Sequence, residues 1–213
     1  MRLHPGEPAA GPWRVALLAS VPHLLGRPRI LGVDGRSGSG KSTLAERLAA
    51  EMTGASVVHS DDIAWYESYF GWEHLLVDGV LDPFRRGDAV SFRPPAWDER
   101  GREGAIAVPA ACPVLLVEGV GVGRRSLVDH LDALIWVQAD THTARHRGIL
   151  RDAAAHETRD PVAFWDEWQA EEVPMLSRER PWQRAGLVVS GTPTLPHDPV
   201  TEVVVAAPPC PED

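Results

Sequence analysis

The sequence predicts an α/β domain built on a mainly parallel sheet of five strands, with helices covering both faces. Three observations lead there. Short apolar runs of about one strand's length recur at residues 30–34, 55–59, 113–117, 133–137 and 186–190. Between them lie segments with apolar residues at helical spacing, at 42–52, 64–80, 141–155 and 161–176. A glycine-rich turn joins the first run to the first of these segments. Strands that alternate with helices form crossover units. Parallel strands need such crossovers, and burial on both faces makes them read as unbroken apolar runs.

The remaining segments follow from composition. A chain of 213 residues fits one domain with a full core. Residues 1–28 read as an accessory segment with a helix over 13–25, residues 29–193 as the main domain, and residues 194–213 as a proline-rich tail with a last edge strand at 203–205. Residues 82–108 are rich in Pro, Gly, Arg and Asp and read as loop. The net charge of -9 argues against a nucleic-acid partner held by overall positive charge. No apolar run reaches the ~20 residues that span a bilayer, so no membrane association is expected. Cys112 and Cys210 are too few for a disulfide framework and show no metal-ligand spacing, which fits a reducing cytoplasm. The sequence carries no readable signal of oligomeric state.

The chemistry is concentrated in Gly35-Arg36-Ser37-Gly38-Ser39-Gly40-Lys41-Ser42, followed by Thr43. The pattern is the phosphate-binding loop, set between an apolar strand and a helix as it requires. Its glycines let successive backbone N–H groups point inward, and the helix adds its positive end. Lys41 is the chain's single lysine; it would contact the β- and γ-phosphates, while Ser42 would offer a hydroxyl to magnesium. The fold class is therefore the P-loop NTPase three-layer sandwich, with ATP and Mg2+ as the expected nucleotide and metal.

Three further groups sit where such a loop needs partners. Glu118 ends the run Val114-Leu115-Leu116-Val117, at the strand end where ligands of open α/β sheets collect, and would hold a magnesium-bound water. Asp61 and Asp62 follow the second strand; Asp61 reads as the general base toward a hydroxyl acceptor and Asp62 as a helix N-cap, with the order of the two roles open. Arg145, Arg147 and Arg151 lie on one helical segment, and Arg147 and Arg151 share a face at four-residue spacing. Arginines there would neutralise charge on a transferring phosphoryl group, whereas the plain alternative is a solvated helix. Trp65, Tyr66, Phe70 and Trp72 read equally as a stacking surface for a planar substrate or as core, and Trp165 and Trp168 as core or a packed cover.

In order along residues 29–193, GRSGSGKST, HSDD, PPAWDERG, LLVEG, TARHRGILRD and RAGLVVSGTP resemble the uridine kinase and phosphoribulokinase group of P-loop kinases. The resemblance implies transfer of the γ-phosphate of ATP to a small hydroxylic acceptor, a nucleoside first. It implies Asp61 as general base, Trp97 and Asp98 at the ribose, and Arg151 and Arg159 in the arginine-rich run. Two departures stand out: Trp97 replaces the usual tyrosine, and Gly148 stands where one arginine is usual, beside Arg147. Two other readings remain. One is a nucleotide-dependent regulator without a small acceptor, although an Asn-Lys-x-Asp guanine motif is impossible in a chain with no asparagine and one lysine. The other is a nucleoside-monophosphate kinase, for which Arg85, Arg86 and Arg93 would clamp the acceptor phosphate.

Overall fold

The protein is described by a computed structural model that covers residues 1–155 and 160–209. Its main sheet has seven strands, not five, in the order β1-β9-β8-β7-β2-β6-β3. The strands are β1 (Arg14–Leu17), β2 (Ile30–Gly35), β3 (Ser56–His59), β6 (Leu115–Glu118), β7 (Ala133–Gln138), β8 (Leu187–Ser190) and β9 (Glu202–Ala206). The five expected strands are the parallel ones. Two further strands come from the ends of the chain: β9 falls where a last strand was expected at 203–205, and β1, where a helix was expected, lies outside it and takes the edge. β9 pairs antiparallel with β8, and β1 antiparallel with β9 in register Arg14↔Val205.

The helix expected over residues 13–25 is thus replaced by a strand at its start, followed by one tight turn at Leu18–Ser20 and one α turn at Val21–Leu24. Arg14, Val15, Ala16 and Leu17 alternate weakly, and Pro22 stops any long helix from forming behind them. The stretch read as loop also holds structure: a helix at Asp82–Arg86, a helix at Pro95–Glu99 and a two-stranded ribbon of β4 (Val90–Phe92) and β5 (Ile106–Val108). The segment 64–80 is helical only from Glu73, and its last turn, Val77–Leu81, is widened.

Three long helices carry the rest: α1 (Lys41–Glu51), α2 (Thr141–Ala155) and α3 (Pro161–Glu179). α1 buries Leu44, Ala45 and Leu48 on Leu31, Val33, Ile135, Val137 and Val189, one face of the sheet. On the other face Trp136, Leu134 and Val188 pack under Met175 and Leu176 of α3 and under Trp182. β2 is buried along its whole length, as a central parallel strand should be. Residues ahead of β1 close this second face: the Glu7 carboxylate accepts Trp136 Nε1–H at 2.6 Å and Gln138 Nε2–H at 2.9 Å. No helix among the described residues is long and apolar enough to cross a membrane.

Leu48 is the centre of the first interface and is fully buried. Leu48→Ala is expected to lose about 2–5 kcal/mol of unfolding free energy, read from urea denaturation. A loss under about 1 kcal/mol would mean that this helix is not seated on the sheet as described.

Candidate functional site

All five parallel strands end on one edge, and the site is built from the loops that leave that edge. β2 runs straight into the loop at Arg36–Gly40, and α1 begins at Lys41. Gly38 has φ +74, and a Cβ added there would lie 2.1 Å from the Ala144 carbonyl oxygen of α2. Only glycine lets the loop pass that close. The loop is also held from α3. The fully buried Glu172 accepts the Ser37 backbone N–H at 2.6 Å, and its other oxygen accepts from Gln169. Gln169 in turn accepts from the Arg36 guanidinium at 2.9 Å.

Glu118 is the hub beside the loop. Its Oε1 accepts from Ser42 Oγ at 3.0 Å and lies 3.7 Å from Lys41 Nζ, while Oε2 is 2.7 Å from His59 Nδ1. Burial pushes the Glu118 carboxyl up, but His59, Lys41 and Ser42 together bring it below its usual range. The His59 imidazole is raised, first by its hydrogen bond to Glu118. His59 went unmarked in the sequence because the pair forms across strands, at register His59↔Glu118. Ser42 and Glu118 are hard oxygen donors side by side at the loop, a set that suits magnesium.

Behind the loop, Asp34 is wholly buried and accepts N–H bonds from Gly35 at 2.7 Å, Gly121 at 3.0 Å and Gly123 at 2.9 Å. It ties β2 to the glycine-rich turn after β6. Nothing in the sequence pattern distinguishes it from any strand-end acid.

Two cavities flank the loop. The larger, about 700 Å³, has Ser37, Lys41, Asp61, Arg151 and Asp152 around its polar end. Its walls are aromatic: Trp65, Tyr66, Tyr69, Trp72, Phe164, Trp165 and Trp168. The smaller, about 270 Å³, lies on the opposite side of the loop, against Ser39, Gly40, Thr43, Arg147, Gly191 and Pro193.

The structure brings Lys41, Asp61 and Arg151 to one cavity. The Asp61 carboxylate makes no hydrogen bond or ion pair among the described residues. Asp62 is turned elsewhere: it pairs with Arg102, and its carbonyl accepts Trp97 Nε1–H at 2.9 Å. It does not cap a helix, because the turn Ser60–Ile63 starts two residues before it, with His59 in the cap position. Arg147 lines the smaller cavity and donates to the Gly191 carbonyl at 2.8 Å, and Arg145 pairs with Asp166 at 3.5 Å. Arg151 pairs with Asp152 at 2.9 Å.

Other expected contacts are not brought in. Trp97 is buried in the core under Arg102. Asp98 is 66% exposed and bound to Arg93 at 2.7 Å, because the helix Pro95–Glu99 turns it outward. Neither lines either of these two cavities. Arg85, Arg86 and Arg93 are engaged with Asp132, Asp88 and Asp98, away from both cavities. Arg159 lies outside the described residues, as does Cys210.

The glycine in the arginine run has a steric cause. A Cβ at Gly148 would sit 1.8 Å from Cζ3 of Trp165, which packs against α2 from α3. No arginine fits there.

No protein-family model and no curated protein sequence matches this chain. Solved structures with which it shares similarity include a protein of Silicibacter sp. TM1040 assigned provisionally as a fructose transport system kinase, at 20% identity over 76% of this chain and 94% of that one, TM-score 0.49. A provisionally assigned uridine kinase of Bacillus stearothermophilus gives 22% identity over 75% and 86%, TM-score 0.49. A shikimate kinase of Bacteroides thetaiotaomicron gives 14% over 72% and 83%, TM-score 0.34.

Two predictions arise from these contacts. In an open helix, Gly→Ala adds stability of up to about 1 kcal/mol. Gly148→Ala is expected instead to lower the urea midpoint, since overpacking costs about 1–3 kcal/mol. An unchanged or higher midpoint would contradict the Trp165 contact. The second concerns Asp34, whose carboxyl is raised by burial from 3.8 to about 6, against the three N–H bonds that pull it down. A raised folded-state value means that the stabilising proton is fully held below the unfolded value and lost as pH rises through the folded one. The stability difference between wild type and Asp34→Asn should therefore fall between pH 3.8 and about 6 and level off above. A difference flat across that window would show that Asp34 does not titrate there.

Proposed function

We propose that the protein is an ATP-dependent small-molecule kinase that transfers the γ-phosphate to a hydroxyl group bound in the larger cavity. One observation carries this reading: Lys41 of the phosphate loop and Asp61 face the same aromatic cavity, while a separate cavity lies across the loop. A regulator that only holds a nucleotide has no need of a second cavity with a carboxylate beside the phosphates.

In this reading the nucleoside of ATP occupies the smaller cavity, near Thr43, Arg147 and Gly191. The loop from Gly35 to Ser42 cradles the phosphates through its N–H groups, and Lys41 sets its charge between the β- and γ-phosphates. Ser42 and Glu118 would hold magnesium, which when bound would draw charge from the phosphate oxygens. Asp61 accepts the proton of the acceptor hydroxyl as that oxygen bonds to the γ-phosphorus. The bond from the γ-phosphorus to the bridging oxygen breaks, and ADP leaves with that electron pair. Arg151 steadies the charge that develops during transfer, and Arg147 closes on the loop from the nucleotide side. The aromatic walls exclude water, which would otherwise take the phosphoryl group.

A nucleoside acceptor is what the sequence resemblance implies, and planar aromatic walls suit a base. The ribose contact expected of Asp98 does not support it, since that carboxylate points to solvent. The monophosphate-kinase reading loses its arginine clamp in the same way.

The test is ADP release with magnesium-ATP and a panel of nucleosides, nucleotides and small alcohols. Lys41→Ala is expected to abolish transfer with the fold intact. Asp61→Asn should keep ATP affinity and lose most of the turnover. Arg151→Ala should lose more than tenfold, equal to about 1.4 kcal/mol of barrier. Full turnover in Lys41→Ala would defeat the assignment of the loop.

A further inference from the structure

The larger cavity carries an asymmetry of charge that phosphoryl transfer does not use. Its two cations, Lys41 and Arg151, sit at the phosphate end, and each already faces a carboxylate: Glu118 at 3.7 Å and Asp152 at 2.9 Å. Three further carboxylates line the same space, Asp61, Glu67 and Glu167. Glu167 accepts from the Tyr69 hydroxyl at 3.2 Å. The carboxylates of Asp61 and Glu67 have no ion-pair partner among the described residues. Asp61 is accounted for by the base role. Glu67 is not.

Glu67 stands in a run of aromatic residues. Trp65 and Tyr66 precede it, edge to face with ring centres 4.7 Å apart, and Tyr69 follows, 5.6 Å from Trp168. The outer rings of this wall already take cations. The Arg100 guanidinium lies 3.6 Å from the centre of the Tyr66 ring, and that of Arg102 lies 5.2 Å from the centre of Trp65. Trp165 and Trp168, deeper in the cavity, carry no guanidinium among the described residues. Indole faces attract cations more strongly than other rings, and nearby carboxylates add to the attraction. Glu67 is half-buried, so a neutral acceptor seated beside it would strip part of its remaining water without supplying a counter-charge, which costs binding free energy.

We propose that the acceptor carries a positively charged amine as well as its hydroxyl, and that Glu67 with the tryptophan walls selects for that charge. The inference rests on the reading of this cavity as the acceptor site and places a hydroxylated ammonium compound ahead of an uncharged nucleoside. The hydroxyl would face Asp61 and Lys41, and the ammonium would lie among the rings toward Glu67.

Choline and its uncharged carbon isostere dimethylbutanol are the probes, since they match in shape and differ in charge. Calorimetric titration into the wild-type protein is expected to show choline binding at least tenfold more tightly. Glu67→Gln should cut that preference at least threefold while leaving the affinity for ATP as it was. Equal affinity for the two probes, or no binding of choline, overturns the proposal, as does a preference that Glu67→Gln leaves intact. Repeating the titration with Lys41→Ala separates this inference from the kinase reading. Retained choline preference without any ADP release from the wild type would sink the kinase and keep the cation site. Turnover on neutral alcohols without choline preference would do the reverse.

Discussion

A buried carboxylate between two parallel strands and a phosphate loop sets the geometry on which the rest depends. Glu118 ends β6 with almost no contact with water, and an isolated charge there would cost several kcal/mol. Three groups offset that cost, and they come from two elements: Lys41 and Ser42 from the start of α1, and His59 from the end of β3. The register follows. β2 pairs with β6 so that Val33 lies opposite Glu118, and β3 pairs so that His59 does. A one-residue slip in either pairing would separate the acid from its partners and leave a charge buried alone. The chemistry of the site and the alignment of the central strands are thus one constraint.

The second constraint is α3. Its Glu172 holds the Ser37 N–H of the loop, its Trp165 packs against Gly148 of α2, and its Phe164, Trp165 and Trp168 wall the larger cavity. One helix therefore touches the phosphate loop, the arginine-bearing helix and the proposed acceptor site together. This explains why α2 carries glycine at 148: the space is filled by an indole, and Arg147 and Arg151 on either side face different cavities.

What was legible in the sequence was local. The phosphate loop, the five parallel strands and the three long helices are each encoded within a dozen or so residues by glycine placement and apolar period. Pairings between distant segments were not. β1 and β9 are too short and weakly patterned to reveal that they join each other and extend the sheet from five strands to seven. The β4–β5 ribbon was hidden in a proline- and arginine-rich stretch. Lys41, Asp61 and Arg151, expected from their places in sequence motifs, line one cavity in the fold. Trp97 and Asp98 were placed by resemblance alone, and a short helix carries one into the core and the other to solvent. Glu172, Asp34 and His59 gave no signal, because the bonds that define them exist only once the chain is folded.

The central claim, that Glu118 joins the phosphate loop to a magnesium site, is tested most directly by ATP affinity with and without magnesium. Calorimetric titrations of wild type and Glu118→Gln supply the comparison. Magnesium is expected to tighten ATP binding to the wild type markedly, and most of that gain should vanish in Glu118→Gln while the fold, followed by circular dichroism, stays intact. An equal magnesium-dependent gain in both proteins would contradict the account.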